Sequence, residues 1–258
     1  KAYPIIFLTA VVIFVITAYN SHGYFDTDEH FQTIELAGLK LGTHGMDDLP
    51  REYNEKLRSS FLPGICFVVI KATSWAGLSN PYNQAFMLRL ITAVLALFSI
   101  HFFIQQTEHH CSNKQTQLAY HLLSYFLWFI PFVSVRFSSE TWSGLLFLLS
   151  MSVCLQNKEQ NLKWYLFGVL LGFSFLCRYQ VGLAIICLLG WLYFMQQFKR
   201  PHMIKTWVGF TLVFALGLLL DAWYYEEFTI TLANYLQLHI DTKGQAYGVS
   251  PWYYYAYK

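Results

Sequence analysis

Strongly apolar runs recur along the chain, near residues 3–19, 61–78, 85–105, 117–134, 141–155, 163–177, 179–198 and 204–220, separated by short polar joints. Several approach the roughly 20 residues that a helix needs to cross a bilayer. Backbone groups in lipid have to be satisfied within their own segment, so these runs predict helices. The fold expected is all-α, a polytopic transmembrane bundle. The first run lacks the small-residue cleavage site and the polar continuation of a secretory leader, and reads as a retained span.

The joints carry the orientation. Those at 106–116, 156–163 and 198–205 hold Lys114, Lys158, Lys163, Lys199, Arg200 and Lys205, whereas the alternating joints hold only Arg136 and Arg178. By the positive-inside rule the first set is cytoplasmic. The loop after the first span then lies outside, and parity leaves room for one crossing before the 106–116 joint. The run at 85–105 is nearly free of charge, while that at 61–78 is interrupted by Pro63, Gly64 and Lys71. The latter is therefore read as an interfacial or re-entrant helix on the outer side; the runner-up has it spanning, with later loops inverted.

Composition agrees. The chain is 55% hydrophobic, 19% aromatic and 12% charged, against roughly a quarter charged in soluble domains. A net charge of +2 without a basic patch argues against nucleic acid as a partner. The five cysteines stand alone and read as small hydrophobes. The chain starts at Lys1 and stops just after an aromatic-rich segment, which reads as a single domain, 1–258, belonging to a longer protein and cut short on its C-terminal side.

Candidate chemistry begins at Ser21–Glu35, directly after the first span. Asp26, Asp28, Glu29 and Glu35 put four carboxylates beside His30. Acids at a membrane surface suit a general base. They equally suit a solvated loop in which Thr27 starts a helix with acids in its first turn. Arg136 and Glu140, Arg178 and Asp221 arrive at the same predicted side from other segments, and charges tolerated at such depth tend to pair or to line polar cavities. Each alone also reads as a snorkelling or helix-end charge. Glu108-His109-His110-Cys111 looks metal-like but lacks partner ligands at a second site, so no metal is expected. Trp223 to Tyr225 and Trp252 to Tyr257 suit an interfacial belt or a stacking wall for a sugar. Nucleotide-binding, zinc-protease and serine-hydrolase motifs are absent.

Asp28 to Glu35, Glu52 to Ser60 with Pro63, Val135 to Thr141, Phe175 to Gln180, Leu220 to Tyr225, Phe228 to Leu236 and Tyr247 to Tyr255 occur in one order. In them the chain resembles the dolichyl-phosphate-mannose-dependent mannosyltransferases of the GT-C superfamily, the likeness being greatest to those that add the third mannose of the GPI anchor. It departs from their pattern in two places. Asp26-Thr27 stands where His-Pro or Asn-Pro often precedes the acid pair, and Arg178-Tyr179 stands where Arg-Pro frequently ends a span.

The resemblance implies a polyprenyl- or dolichyl-phosphate sugar donor, a glycan or glycolipid acceptor on the lumenal or periplasmic side, and no cofactor. It implies the endoplasmic reticulum membrane in a eukaryote and the inner membrane in a bacterium. On this reading Asp28 is the base, with Glu29 orienting the acceptor or sharing that duty. Arg58 and Arg178 hold the donor phosphate, with Arg136 behind them bonded to Glu140. His30, Asp221 and Trp252 shape the substrate site. The competing reading is a lipid-linked sugar flippase or transporter using the same charged layer without forming a glycosidic bond; internal repeats would favour it, and none is evident.

Overall fold

The computed structural model describes residues 2–25, 27–43, 45, 51–156, 161–195, 198–241, 250, 251, 253 and 254. The apolar runs are helices, and no strand occurs among the described residues. In chain order they are α1 (Ala2–Asn20), α2 (Thr27–Glu29), α3 (Glu35–Leu41), α4 (Arg51–Asn54), α5 (Phe61–Trp75), α6 (Pro81–Thr107), α7 (Lys114–Phe126), α8 (Phe129–Val133), α9 (Ser139–Leu155), α10 (Asn161–Cys177), α11 (Val181–Phe194), α12 (Arg200–Tyr225) and α13 (Thr231–Asp241). Among the described residues, three helical segments are long and apolar enough to cross a membrane, α1, α12 and α6 with its continuation to His110. This is the fold of an integral membrane protein.

Each long helix starts and stops on identifiable signals. Asn80 caps α6 by accepting from the Tyr82 amide at 2.9 Å, with Pro81 in the first turn. Asn113 caps α7 in the same way, at 2.8 Å to Thr116. The 117–134 run breaks into α7 and α8 at Leu127, whose ψ is 126°. Pro131 has no N–H to return to the Leu127 carbonyl, which accepts from Ile130 instead.

Small residues set the packing. Ile6, Ala10, Phe14 and Ala18, four apart on α1, are buried in one cluster with Ala93, Ala96 and Leu97 of α6. Between α10 and α12 the backbones nearly touch. A methyl group placed on Gly168 would lie 2.0 Å from the Thr206 carbonyl oxygen, and one on Gly209 would lie 2.4 Å from that of Tyr165. Small residues let helices approach this closely where no hydrophobic force drives them together in lipid. Ser143 and Ser174 tie α9 to α10 through each other's carbonyls at 2.9 and 2.8 Å.

Chain direction sorts the joints into two ends. At one end Tyr3 of α1 reaches Gln117 at the start of α7. At the other, the turn after α1 meets Arg136 beyond α8, through the Gly23 carbonyl. Thus α7 and α8 together run alongside α1. Helix α5 contacts the acidic end from both parts: Ser60, at its start, bonds Asp221 near the end of α12, while its Ile70 shares a cavity with Gly23 and the first turns of α6. Both parts of α5 therefore lie at the acidic end, as a helix laid across that layer.

Candidate active site

The acidic stretch is helical from Thr27 to Leu41, but not regularly so. A π turn over His30–Ile34 joins α2 to α3, and the Thr33 hydroxyl donates to the Glu29 carbonyl inside it. A π turn brings residues five apart onto one line, so His30 Nε2 meets Glu35 at 3.2 Å. Gly42, in the left-handed region at φ +73°, ends α3 by turning its amide back to Leu39.

Glu29 is buried beneath this helix, its Oε2 3.6 Å from Nη1 of Arg136. Arg136 also donates to the Gly23 carbonyl at 3.1 Å and lies 4.6 Å from the centre of the Phe132 ring. The turn into the next helix fixes its direction: Ser138 caps α9 by accepting from the Thr141 amide at 3.2 Å. That cap puts Glu140 in the first turn, where it pairs with Arg178 at the end of α10. Ser139 accepts a further, longer bond from Arg178 at 3.4 Å.

Two cavities flank the π turn. The larger, about 310 Å³, is lined by Glu29 and His30, by Gly23 and Tyr24 of the preceding turn, and by Arg89 and Leu88 of α6. The smaller, about 20 Å³, is a crevice where Arg58 and Arg178 converge on Gln32, Thr33 and Tyr179. Arg58 there is paired with Glu52 at 3.2 Å. An acid-bearing helix thus stands between two arginine-lined spaces. Such a layout brings carboxylates and guanidinium groups within one polar layer.

Comparison with protein families aligns residues 5–258 with the Alg9-like mannosyltransferase family. The chain belongs to this family. Mannosyltransferase APTG1 of Arabidopsis thaliana is 25% identical over 266 residues, covering 97% of this chain and 46% of its own length. GPI mannosyltransferase 3 of Yarrowia lipolytica is 26% identical over 250 residues, covering 95% and 48% respectively. The chain spans about half the length of the curated relatives it matches. No solved structure matches it.

In this Alg9-like chain the expected site residues divide between cavity, crevice and core. Glu29 and His30 line the larger cavity, while Asp28 sits half-buried next to Glu29 in α2 and lines neither space. The expected Arg136–Glu140 pair is not formed. Although four residues apart, they lie on opposite sides of the Ser138 cap, so Arg136 turns to Glu29 and Glu140 to Arg178. Asp221, expected to contact substrate, is 1% exposed. Its Oδ1 accepts from the Ser60 amide and hydroxyl, and its Oδ2 from Thr231, all at 2.7 Å. With both oxygens engaged, it clamps α12 to the starts of α5 and α13.

Tyr179 extends that clamp by bonding Thr231 at 2.5 Å. Burial pushes its phenol well above the ordinary tyrosine range, against the opposing bond to Thr231. Thr231 gives its one hydroxyl proton to Asp221, so it accepts from the Tyr179 hydroxyl. Trp252 lies outside the described residues. Glu108 pairs with His121 at 2.9 Å, and among the described residues no cluster of three His, Cys, Asp or Glu side chains comes together.

Arg89 was not among the residues expected at the site. Its signal was present in the sequence: it is the one Asp, Glu, Lys or Arg in the run 85–105, and an ionisable residue inside a span marks a functional position by default.

Proposed function

We propose that the whole protein is a membrane mannosyltransferase that moves a mannosyl residue from a polyprenyl- or dolichyl-phosphate donor to a glycan or glycolipid acceptor on the non-cytoplasmic side. The observation that carries this reading is the acid-bearing helix set between two arginine-lined spaces, in a chain of the Alg9-like family. The opposite end of the bundle holds Lys114, Lys163, Lys199, Arg200 and Lys205. That supports a lumenal or periplasmic location for the acidic end.

Asp28 is the base of the proposed reaction. Glu29 is buried and ion-paired to Arg136, whereas Asp28, half-buried beside it, is the acid left more accessible to an acceptor. As Asp28 takes the proton from the acceptor hydroxyl, that oxygen forms a bond to the anomeric carbon from the face opposite the phosphate. The carbon–oxygen bond to the lipid phosphate breaks, its electron pair leaves with the phosphate, and the anomeric configuration inverts. The phosphate departs as an anion, so it needs cationic donors and no proton. Arg58 and Arg178 supply them from the crevice, and Arg136 acts through Glu29. His30, in the cavity wall, contacts sugar hydroxyls, while Asp221 shapes the site indirectly through Ser60 and Tyr179. Trp252 is a candidate stacking surface for the sugar.

The test is mass spectrometry of lipid-linked glycans from cells with the intact gene, without it, and with Asp28→Asn. Accumulation of a glycan one hexose short in the second and third cases is the expected result. An unchanged glycan profile in cells lacking the gene would remove the proposal.

A further inference from the structure

We propose that the 310 Å³ cavity is a binding site for the phosphate of a membrane lipid, with Arg89 as its anion-gripping side chain. The idea rests on the transferase reading for its biological sense and adds to it a subsite separate from the Arg58–Arg178 crevice.

Arg89 lies in α6 and is 9% exposed. Its Nε donates to the Ala18 carbonyl at 2.8 Å, one of the carbonyls left over at the end of α1. That contact uses one of five guanidinium N–H groups. The remaining four, on the two Nη atoms, make no hydrogen bond or ion pair among the described residues, and the side chain lines the cavity. Glu29 does not satisfy them. Its carboxylate is matched to Arg136, and Arg89 lies within Coulombic range of both. Arg136 itself keeps a buried Nε without a partner. Two guanidinium groups therefore share one carboxylate. At the crevice, by contrast, Arg58 has Glu52 and Arg178 has Glu140. Among the described residues, Arg89 and Arg136 thus face the one carboxylate of Glu29 on the cavity side of the π turn.

The walls identify what kind of anion fits. Ile34, Ile70, Leu88 and Phe137 make most of the lining apolar, and Tyr24 and Tyr82 stand exposed at the rim. Tyrosine at that level suits a membrane–water interface. A free inorganic phosphate gains nothing from such walls, whereas a phosphate carried on a hydrocarbon tail uses the guanidinium and the apolar lining together. Two sources share this chemistry: a polyprenyl phosphate, in which case the donor phosphate sits in this cavity and not at the Arg58–Arg178 crevice, and a glycerophospholipid, as the anchor of a glycolipid acceptor.

Binding of farnesyl phosphate, dioctanoyl phosphatidylinositol and inorganic phosphate to the full-length protein in detergent, by native mass spectrometry, tests the proposal and distinguishes the sources. One of the two lipids is expected to bind, and inorganic phosphate much less. Arg89→Gln is expected to weaken that lipid roughly 10- to 100-fold, the range for losing a charge-assisted contact, with Arg89→Lys retaining part of the affinity. Ala85→Leu, which fills the apolar wall and leaves Arg89 in place, is expected to weaken the same lipid and decides the matter should Arg89→Gln fail to fold. Lipid binding unchanged in Arg89→Gln and Ala85→Leu overturns the subsite. If mannosyl transfer by the same preparations is at the same time intact in wild type and lost in Asp28→Asn, the transferase reading survives that result. If wild type transfers nothing, yet lipid binding falls in the Arg89 and Ala85 variants, the subsite stands and the transferase reading fails.

Discussion

The Glu29 carboxylate and the Arg136 guanidinium lie 3.6 Å apart, with side-chain exposures of 11% and 8%. They join the helix after the first span to the joint before α9. Removing one member of a buried pair costs about 3–5 kcal/mol when the other charge is left uncompensated, less for Arg136→Gln, where Arg89 stays within Coulombic range of Glu29. Glu29→Gln and Arg136→Gln are each expected to lower the thermal midpoint of the full-length protein in detergent. The double substitution is expected to recover much of the loss, and strict additivity of the two single effects would show that the pair carries no coupling.

Asp28→Asn removes the proposed base while keeping the shape of the side chain. Transfer by the full-length protein is expected to fall by about a hundredfold to ten-thousandfold, with donor affinity nearly unchanged. Radiolabelled mannose transfer, alongside a donor-binding measurement, reads both quantities; normal turnover would rule out Asp28.

The clamp at Asp221 makes a different prediction. Asp221→Ala leaves the buried Ser60 amide without an acceptor, and each such orphan costs about 1–3 kcal/mol. Asp221→Asn is expected to be milder. Its Oδ1 still accepts from Ser60, and its amide can donate to Thr231 once the Thr231 and Tyr179 hydroxyls reverse direction. Thermal unfolding of the two variants should rank Ala below Asn, and equal midpoints would contradict the clamp.

Helix contact is tested at glycine. Gly168→Ala drives a methyl group into the Thr206 carbonyl and is expected to cost about 1–3 kcal/mol or more by overpacking. Gly144→Ala, inside α9 with open space around it, is expected to be neutral or stabilising by up to about 1 kcal/mol. The two melting curves should move in opposite directions or differ plainly in size.

Lys40 bonds Glu226 and holds its carboxyl below the usual glutamate value of 4.5. A carboxyl depressed in the folded state contributes stability above its unfolded pKa and loses it as pH falls through the lower folded value. Wild type is therefore expected to lose stability relative to Glu226→Gln as pH drops below 4.5. Parallel acid titrations of the two proteins would disprove the contact if they superimpose.

Helix positions were largely readable in advance. The apolar runs at 3–19, 141–155 and 163–177 became α1, α9 and α10 almost to the residue. The interruption by Pro63 and the Lys-rich joints suggested an interfacial or re-entrant helix at 61–78; the structure shows a helix at Phe61–Trp75 whose Ser60 cap position and Ile70 both contact the acidic end. The pairing of charges was not readable: Arg136 and Glu140 have the spacing of helix neighbours, and only the Ser138 cap sends them to different partners. Nor did sequence distinguish Asp221 as an internal clamp from the half-buried Asp28.

Hydropathy and capping are local, written into consecutive side chains, and so the sequence by itself determined where helices begin, which are apolar enough for lipid, and that acids come directly after the first of them. Which carboxylate meets which arginine depends on how helix ends converge across the bundle. That convergence is set by packing between segments remote along the chain, at contacts such as Gly168 against Thr206, and only the tertiary structure decided it.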